Sequence, residues 1–128
     1  MEKLWKWAIT GSTLGDKSHE QIASLCNYAG VSTLETSWRF TDNKSEEEIK
    51  NTRTLYEKSG IKLQSFHLPF GQFDDICSFY ETLRRQAVER IEEFLPKISL
   101  LGSSIAVLHP TTTGFNVQTE GLEKYLSQ

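Results

Sequence analysis

The chain reads as an α/β protein in which short strands alternate with helices in the order β-α-β-α-β-α-β, followed by the start of one more helix. Three observations carry this reading. Apolar residues recur at helical spacing in three separate segments. Each of those segments ends in a glycine, after which a strand-like run begins at once: Gly30-Val31, Gly60-Ile61 and Gly102-Ser103. Strands joined by helical crossovers run parallel with right-handed connections, so four strands in one parallel sheet are expected.

The first strand is Trp5 to Thr10, short, aromatic and closed by Gly11-Ser12. Trp5 and Trp7 share one face of it by period two and are expected in the core or at its rim. Asp16 or Ser18 then caps a helix whose apolar positions are Ile22, Ala23, Leu25, Cys26 and Ala29, with Gly30 as its left-handed stop. Val31 to Trp38 is the second strand. Ser45 with Glu48 three residues on is a capping box, and it opens a helix with Ile49, Thr52, Leu55 and Tyr56 on one face. Ile61 to Leu68 is the third strand, punctuated by Pro69 and Gly71.

A long third helix is expected from about Asp75 to Leu101, carried by Ile76, Phe79, Leu83, Ala87, Ile91, Phe94, Leu95, Ile98 and Leu101. Pro96 inside it should kink it or divide it in two. Ser103 to Leu108 is the fourth strand, and its continuous apolar character suits a strand covered on both faces. After a polar loop, the segment from Thr119 to Leu126 starts like one more helix.

Composition narrows the function classes. The 128 residues suit a single domain spanning 1–128. With 38% apolar and 24% charged residues the chain is globular, neither disordered nor membrane-spanning. A net charge of −3 gives no electrostatic footprint for a phosphate backbone, which argues against nucleic acid as partner. No apolar run approaches the roughly 20 residues that cross a bilayer, and the N-terminus lacks a signal-peptide pattern, so a cytoplasmic protein is expected. Cys26 and Cys77 both fall in segments read as helix, with no CxxC; two reduced thiols at a packed face are expected, a disulfide or a nucleophilic cysteine being the alternative. Glu46-Glu47-Glu48 is the acidic first turn of a helix, and Glu81–Arg85 an i,i+4 surface pair. No phosphate loop, G-x-S-x-G elbow or H-E-x-x-H occurs.

In parallel α/β sheets the chemistry gathers at the carboxyl ends of the strands. Those ends offer Thr10 and Ser12, then Glu35, Ser37, Trp38 and Arg39, then His67 before Leu68-Pro69, and His109 before Pro110. Two of the three histidines thus occupy matched strand ends, where imidazole can bind a metal, relay a proton or hydrogen-bond a sugar hydroxyl. The third, His19, lies at a helix start and reads as surface. Glu35 interrupts a β-prone run and needs a partner if it faces inward. Trp38 can supply an apolar wall for a sugar face, with simple packing as the plainer reading.

The stretch Ser65-Phe66-His67-Leu68-Pro69-Phe70, the long helix with Leu83-Arg84-Arg85, and Leu101-Gly102-Ser103-Ser104-Ile105-Ala106-Val107-Leu108-His109-Pro110 together resemble the xylose isomerase-like TIM barrels. Within these they are most similar to the sugar phosphate isomerase/epimerase group, whose second strand commonly carries a glutamate where Leu34-Glu35 stands. The resemblance covers about Trp5 to Pro110. It implies a divalent-metal enzyme (Mn, Mg, Co or Zn) that shifts a proton or hydride next to a sugar carbonyl. His67, His109, Glu35 and Trp38 would then line the substrate side, the substrate being a sugar or sugar phosphate. The main metal ligands of such families come from strands five to eight, so most are expected to be missing here.

A full (β/α)8 barrel needs about 250 residues. The expectation is therefore the N-terminal half of such a barrel, about four strands, inactive without its C-terminal half and able to form a homodimer or to pair with that complementing half. Two alternatives accompany it. One is a non-catalytic half-barrel whose exposed sheet binds a partner. The other is an endonuclease IV-like zinc enzyme acting on abasic DNA, in which His67 and His109 would bind the metal.

Overall fold

The computed structural model describes residues 7–110 and 121–127. One sheet holds four strands in the order β1 (Ile9–Thr10), β2 (Thr33–Ser37), β3 (Lys62–His67) and β4 (Ile105–Val107), every neighbouring pair parallel. Between them run α1 (His19–Tyr28), α2 (Glu46–Lys58) and α3 (Glu81–Leu101), and a short α4 (Leu122–Leu126) follows. This is the expected α/β architecture, with sequential parallel strands as in half of a (β/α)8 barrel.

The crossovers are set by local chemistry at both helix ends. Ser18 and Ser45 each accept the N–H of the residue three positions on, and Gln21 and Glu48 return the bond to the cap's own N–H. Ser18, not Asp16, is therefore the cap of α1. At the other end, Gly30 and Gly60 sit at φ 67° and 72°, a backbone region that costs an L side chain energy and glycine little. Their N–H groups bond Asn27 and Glu57 carbonyls, while Val31 and Ile61 bond back to Cys26 and Tyr56. That pattern satisfies the last carbonyls and turns the chain straight into the next strand. Gly102 and Ser103 repeat it on Ser99 and Ile98.

The core fills one side of the sheet. Leu34 from β2 and Leu63 and Phe66 from β3 pack with Ile22 and Cys26 of α1, Ile49 and Tyr56 of α2, and Phe94, Ile98 and Leu101 of α3. Phe66 is fully buried with its ring centroid 5.9 Å from that of Phe94. Burial pushes the Cys26 thiol pKa up, as expected of an inert core cysteine.

Several expectations are corrected. Trp7 is 81% exposed and lies before β1, so it serves neither core nor rim; Trp5 lies outside the described residues. The third helix begins at Glu81, not Asp75. Residues 74–80 instead close on their own side chains: Asp75 accepts the Cys77 N–H (2.8 Å), Asp74 pairs with Arg90 (3.2 Å), and Arg84 donates to the Ser78 carbonyl (2.7 Å). Such local bonds compete with helix formation, and they leave Cys77 exposed in a loop. Pro96 does not divide α3, which is a single helix through it. The carbonyl that proline leaves without a donor belongs to Glu92, on the exposed side, where water can serve it. β4 is not covered on both faces, since Ile105 is 49% and Leu108 41% exposed. Glu81 and Arg85 do pair at 2.6 Å, though in full solvent the pair adds little. Thr119 and Glu120 lie outside the described residues.

Truncating the fully buried ring at the helix–sheet seam tests this core. Phe66→Ala is expected to lose about 3–5 kcal/mol, a large share of the roughly 5–15 kcal/mol available to a domain. Urea unfolding followed by circular dichroism measures it, with Phe66→Leu retaining most of the stability.

Candidate functional site

Strand register places the polar residues. Glu35 of β2 stands between Thr10 of β1 and Ser65 of β3, and Ser37 stands beside His67, which neighbours Val107 of β4. Leu34 and Thr36 point to the helices and are fully buried, so Glu35 and Ser37 take the opposite face by strand alternation. On β3 a bulge intervenes: Leu34 pairs with Leu63 but Glu35 pairs with Ser65. The extra residue, Gln64, resets the alternation. Leu63 and Phe66 both reach the core, while Ser65 and His67 turn to the side of Glu35 and Ser37. The hydrogen bond from Ser65 Oγ to Glu35 Oε2 (3.2 Å) joins the two strands on that face.

The paired histidines meet. Their Nε2 atoms are 3.0 Å apart and their ring centroids 4.9 Å. His67 Nδ1 lies 2.9 Å from the Leu68 carbonyl, which can only accept, so that nitrogen carries the proton. In the neutral ring Nε2 is then the acceptor, and His109 must supply Nε2–H. Phe70 stacks on His109 with centroids 4.7 Å apart and meets His67 edge-on at 5.2 Å. It is 57% exposed, so one flank of this aromatic stack is open to a ligand.

A cleft of about 480 Å³ gathers these groups at the carboxyl ends of β1–β3, lined by Thr10, Ser12, Glu35, Trp38, His67 and Phe70 among others. Trp38 follows β2 in a 3-10 turn (Trp38–Phe40), and the Arg39 guanidinium lies 5.6 Å from its ring centroid. Of the four residues singled out from sequence, Glu35, Trp38 and His67 line this cleft, and His109 joins it through its contacts with His67 and Phe70. Sequence reading passed over Ser65 and Phe70 as site residues. Phe70 had a signal, one step past the Leu68-Pro69 turn, whereas Ser65 becomes Glu35's partner only through the bulge.

A second cleft, about 330 Å³, opens beside the first between the loops after β1 and β2. His19 lies there and is not the surface residue expected. Its Nδ1 is 3.1 Å from the Tyr56 hydroxyl and its Nε2 3.0 Å from Lys44 Nζ, with the Phe40 ring 4.9 Å away. An ammonium only donates, so His19 Nε2 accepts and Nδ1–H donates to Tyr56. Burial, then the Lys44 charge, lower the His19 pKa, and Glu20 opposes them weakly. Burial likewise raises the Tyr56 phenol.

The divalent metal expected from the sequence would have to draw on the donors of this face. Among the described residues no group of three or more His, Cys, Asp or Glu side chains could hold a metal ion. The two facing Nε2 atoms suit neighbouring corners of a tetrahedral site, whose ligands lie about 2.0–2.1 Å from zinc. They are two donors of the four a closed site needs. A full ligand set is not found in the described residues. Among these residues no helix is long and apolar enough to cross a membrane.

The fold has a solved counterpart. The chain is similar in structure to D-psicose 3-epimerase, crystallised in the presence of D-fructose, with a TM-score of 0.71 and 17% identity. The match covers 84% of this chain but only 39% of the epimerase, which is a TIM barrel. No protein-family model and no curated protein matches the sequence. At that identity the likeness shows the fold alone: four sequential β-α units of the kind that build a TIM barrel.

The His19 arrangement has a pH signature. A histidine whose folded pKa lies below its ordinary 6.5 binds protons in the unfolded state first. Stability is therefore full above pH 6.5, falls as pH drops through 6.5, and levels off below the folded value. Melting temperatures between pH 7.5 and 5 are expected to fall in the native chain and to fall less in His19→Gln.

Proposed function

We propose that the strand ends of this chain form the sugar-binding part of an isomerase- or epimerase-like site, where a proton moves next to a sugar carbonyl. The observation that carries this reading is the convergence of Glu35, Trp38, His67, His109 and Phe70 on one cleft at the carboxyl ends of parallel strands. The structural likeness to an epimerase supports it at the level of fold. Glu35 accepts hydroxyl hydrogen bonds beyond the one from Ser65. Trp38 and Phe70 offer apolar faces to the C–H side of a sugar ring. The Nε2–H of His109, now given to His67, can be given to a carbonyl oxygen, and the His67 lone pair so released can accept a proton. Groups from a complementing half, including most ligands of a divalent metal, complete the reaction.

Saturation-transfer NMR with D-fructose tests the binding part. Transfer to the sugar is expected, with Glu35→Gln or His67→Ala weakening it about tenfold, the worth of one hydrogen bond to a charged group. Deuterium uptake beside the carbonyl in heavy water reads the proton step. A sugar that neither receives transfer nor exchanges would overturn the reading.

One observation favours a second reading, a partner-binding half-barrel. β1 and β4 are sheet edges, and the β4 end exposes Ile105 and Leu108. A second copy or a complementing half-barrel would cover them. Light scattering over a range of concentrations, with and without Mn²⁺ or Zn²⁺, is expected to show a defined assembly that Leu108→Glu disperses; a concentration-independent monomer would sink this reading.

A further inference from the structure

We propose that the second cleft, between the loops after β1 and β2, binds a phosphoryl group, so that the ligand of this chain is a phosphorylated small molecule. As a statement about the sugar's identity this rests on the reading above; as a statement about an anion site it stands alone.

Charge is the first ground. The cleft presents Lys17, Arg39 and Lys44, and none of them forms an ion pair among the described residues. The Arg39 guanidinium lies over the Trp38 ring, and Lys44 Nζ meets the His19 nitrogen. The Glu48 pKa is lowered by hydrogen bonds from the Ser45 backbone and side chain and, more weakly, by the Lys44 charge. Asp16 is the single carboxylate among the lining residues. Three cations around one concavity, with that single carboxylate in the lining and Glu48 close enough to Lys44 to feel its charge, favour an anion.

The second ground is independent of charge. Ser37 is only 6% exposed, lines both clefts, and its Oγ has no hydrogen-bond partner. A buried hydroxyl without a partner costs free energy; Ser37 Oγ is closed to solvent in its present rotamer, and turning it toward the cleft would let a phosphoryl oxygen satisfy it. The N-terminus of α1 contributes less, because its own capping box occupies the Gln21 N–H. The loop is shaped for close approach: a Cβ on Gly11 would meet the Phe40 ring at 3.0 Å and the Glu35 carbonyl at 3.3 Å. A side chain there would require the Phe40 ring or the backbone at Glu35 to give way.

The third ground is position. Ser12, Ser37 and Arg39 line both clefts, so the two are continuous. A ligand with its carbonyl end near His67 and His109 can therefore place a phosphoryl group between Arg39 and Lys44. His19 stays neutral as the acceptor from Lys44 and holds that ammonium at the cleft wall.

The test is a titration of the full chain with inorganic phosphate at constant ionic strength against chloride, read by amide shifts in ¹⁵N-correlated NMR spectra. Saturable shifts are expected at Ser12, Ser37 and Arg39. Arg39→Gln and Lys44→Gln should each weaken binding about tenfold, and Ser37→Ala about threefold. Each variant's spectrum shows whether it is folded, and exposed Arg39 can be replaced without touching the core. D-Fructose and D-fructose 6-phosphate form the second arm, the phosphate ester binding at least tenfold more tightly. Absence of saturable phosphate shifts, or phosphate binding indifferent to all three variants, would overturn the anion site. Phosphate binding with no preference for the ester over the sugar would keep the anion site and overturn the phosphorylated ligand. Phosphate binding without any sugar binding would keep the anion site and remove the sugar reading instead.

Discussion

Everything that distinguishes the two faces of this sheet depends on how β2 pairs with β3. The pairing is parallel and central in a four-stranded sheet, so both strands bury one face under helices and offer the other to whatever lies across from it. A regular strand from Leu63 onward would alternate Leu63, Ser65 and His67 on one side, and Gln64, Phe66 and Leu68 on the other. The first side would then mix the core residue Leu63 with the site residues Ser65 and His67. The bulge at Gln64 removes the conflict, since one unpaired residue lets Leu63 and Phe66 both enter the core and still sends Ser65 and His67 to the polar side. Thr36, buried on the core side, donates to the Ser65 carbonyl at 3.0 Å, and so ties β2 to the residue just past the bulge.

The consequence is a one-sided protein. Its apolar core lies between the sheet and α1–α3, while the other face carries Glu35, Ser37, Ser65 and His67. A closed barrel fills its interior with packed side chains from all eight strands; here the described strands are four, and polar groups from one face satisfy one another in pairs. Glu35 is held by Ser65, His67 by His109 and the Leu68 carbonyl, and Thr10 by Ser12 at 2.8 Å. Such short-range pairs keep the face ordered while leaving acceptor and donor capacity for a ligand. The neighbouring cleft is held differently, by the His19–Tyr56–Phe40 cluster, in which a buried phenol and an aromatic wall fix a neutral imidazole against Lys44.

How much could be read in advance follows from the range of each interaction. The three helices, the serine caps of the first two and the glycine stops of all three are events within five or six residues, and they are legible as spacing: Ser18 with Gln21, Ser45 with Glu48, and Gly30, Gly60 and Gly102 with the residues beside them. Parallel order follows from the helices between the strands. The matched placement of His67 and His109 at strand ends is likewise a property of spacing. Ahead of α3, Ile76 and Phe79 keep helical spacing, while Asp74, Asp75 and Ser78 bond locally and to Arg84 and Arg90. Nothing in the order of residues ranks those two claims on the segment.

The amino-acid sequence by itself thus determined the succession of elements, the direction of the strands and the identity of the histidines and glutamate at their ends. Local backbone preferences and hydrophobic period act over a turn or a strand, and they need no knowledge of the rest of the chain. The tertiary structure decided which face each polar side chain takes and whom it meets. The Gln64 bulge, the facing Nε2 atoms of His67 and His109, the seat of His19 between Tyr56 and Lys44, and the unpartnered Ser37 hydroxyl arise only when residues 25 or more apart in the chain are brought side by side. A one-residue shift of register sends every side chain to the other face, so no count of spacing along the chain could have settled them.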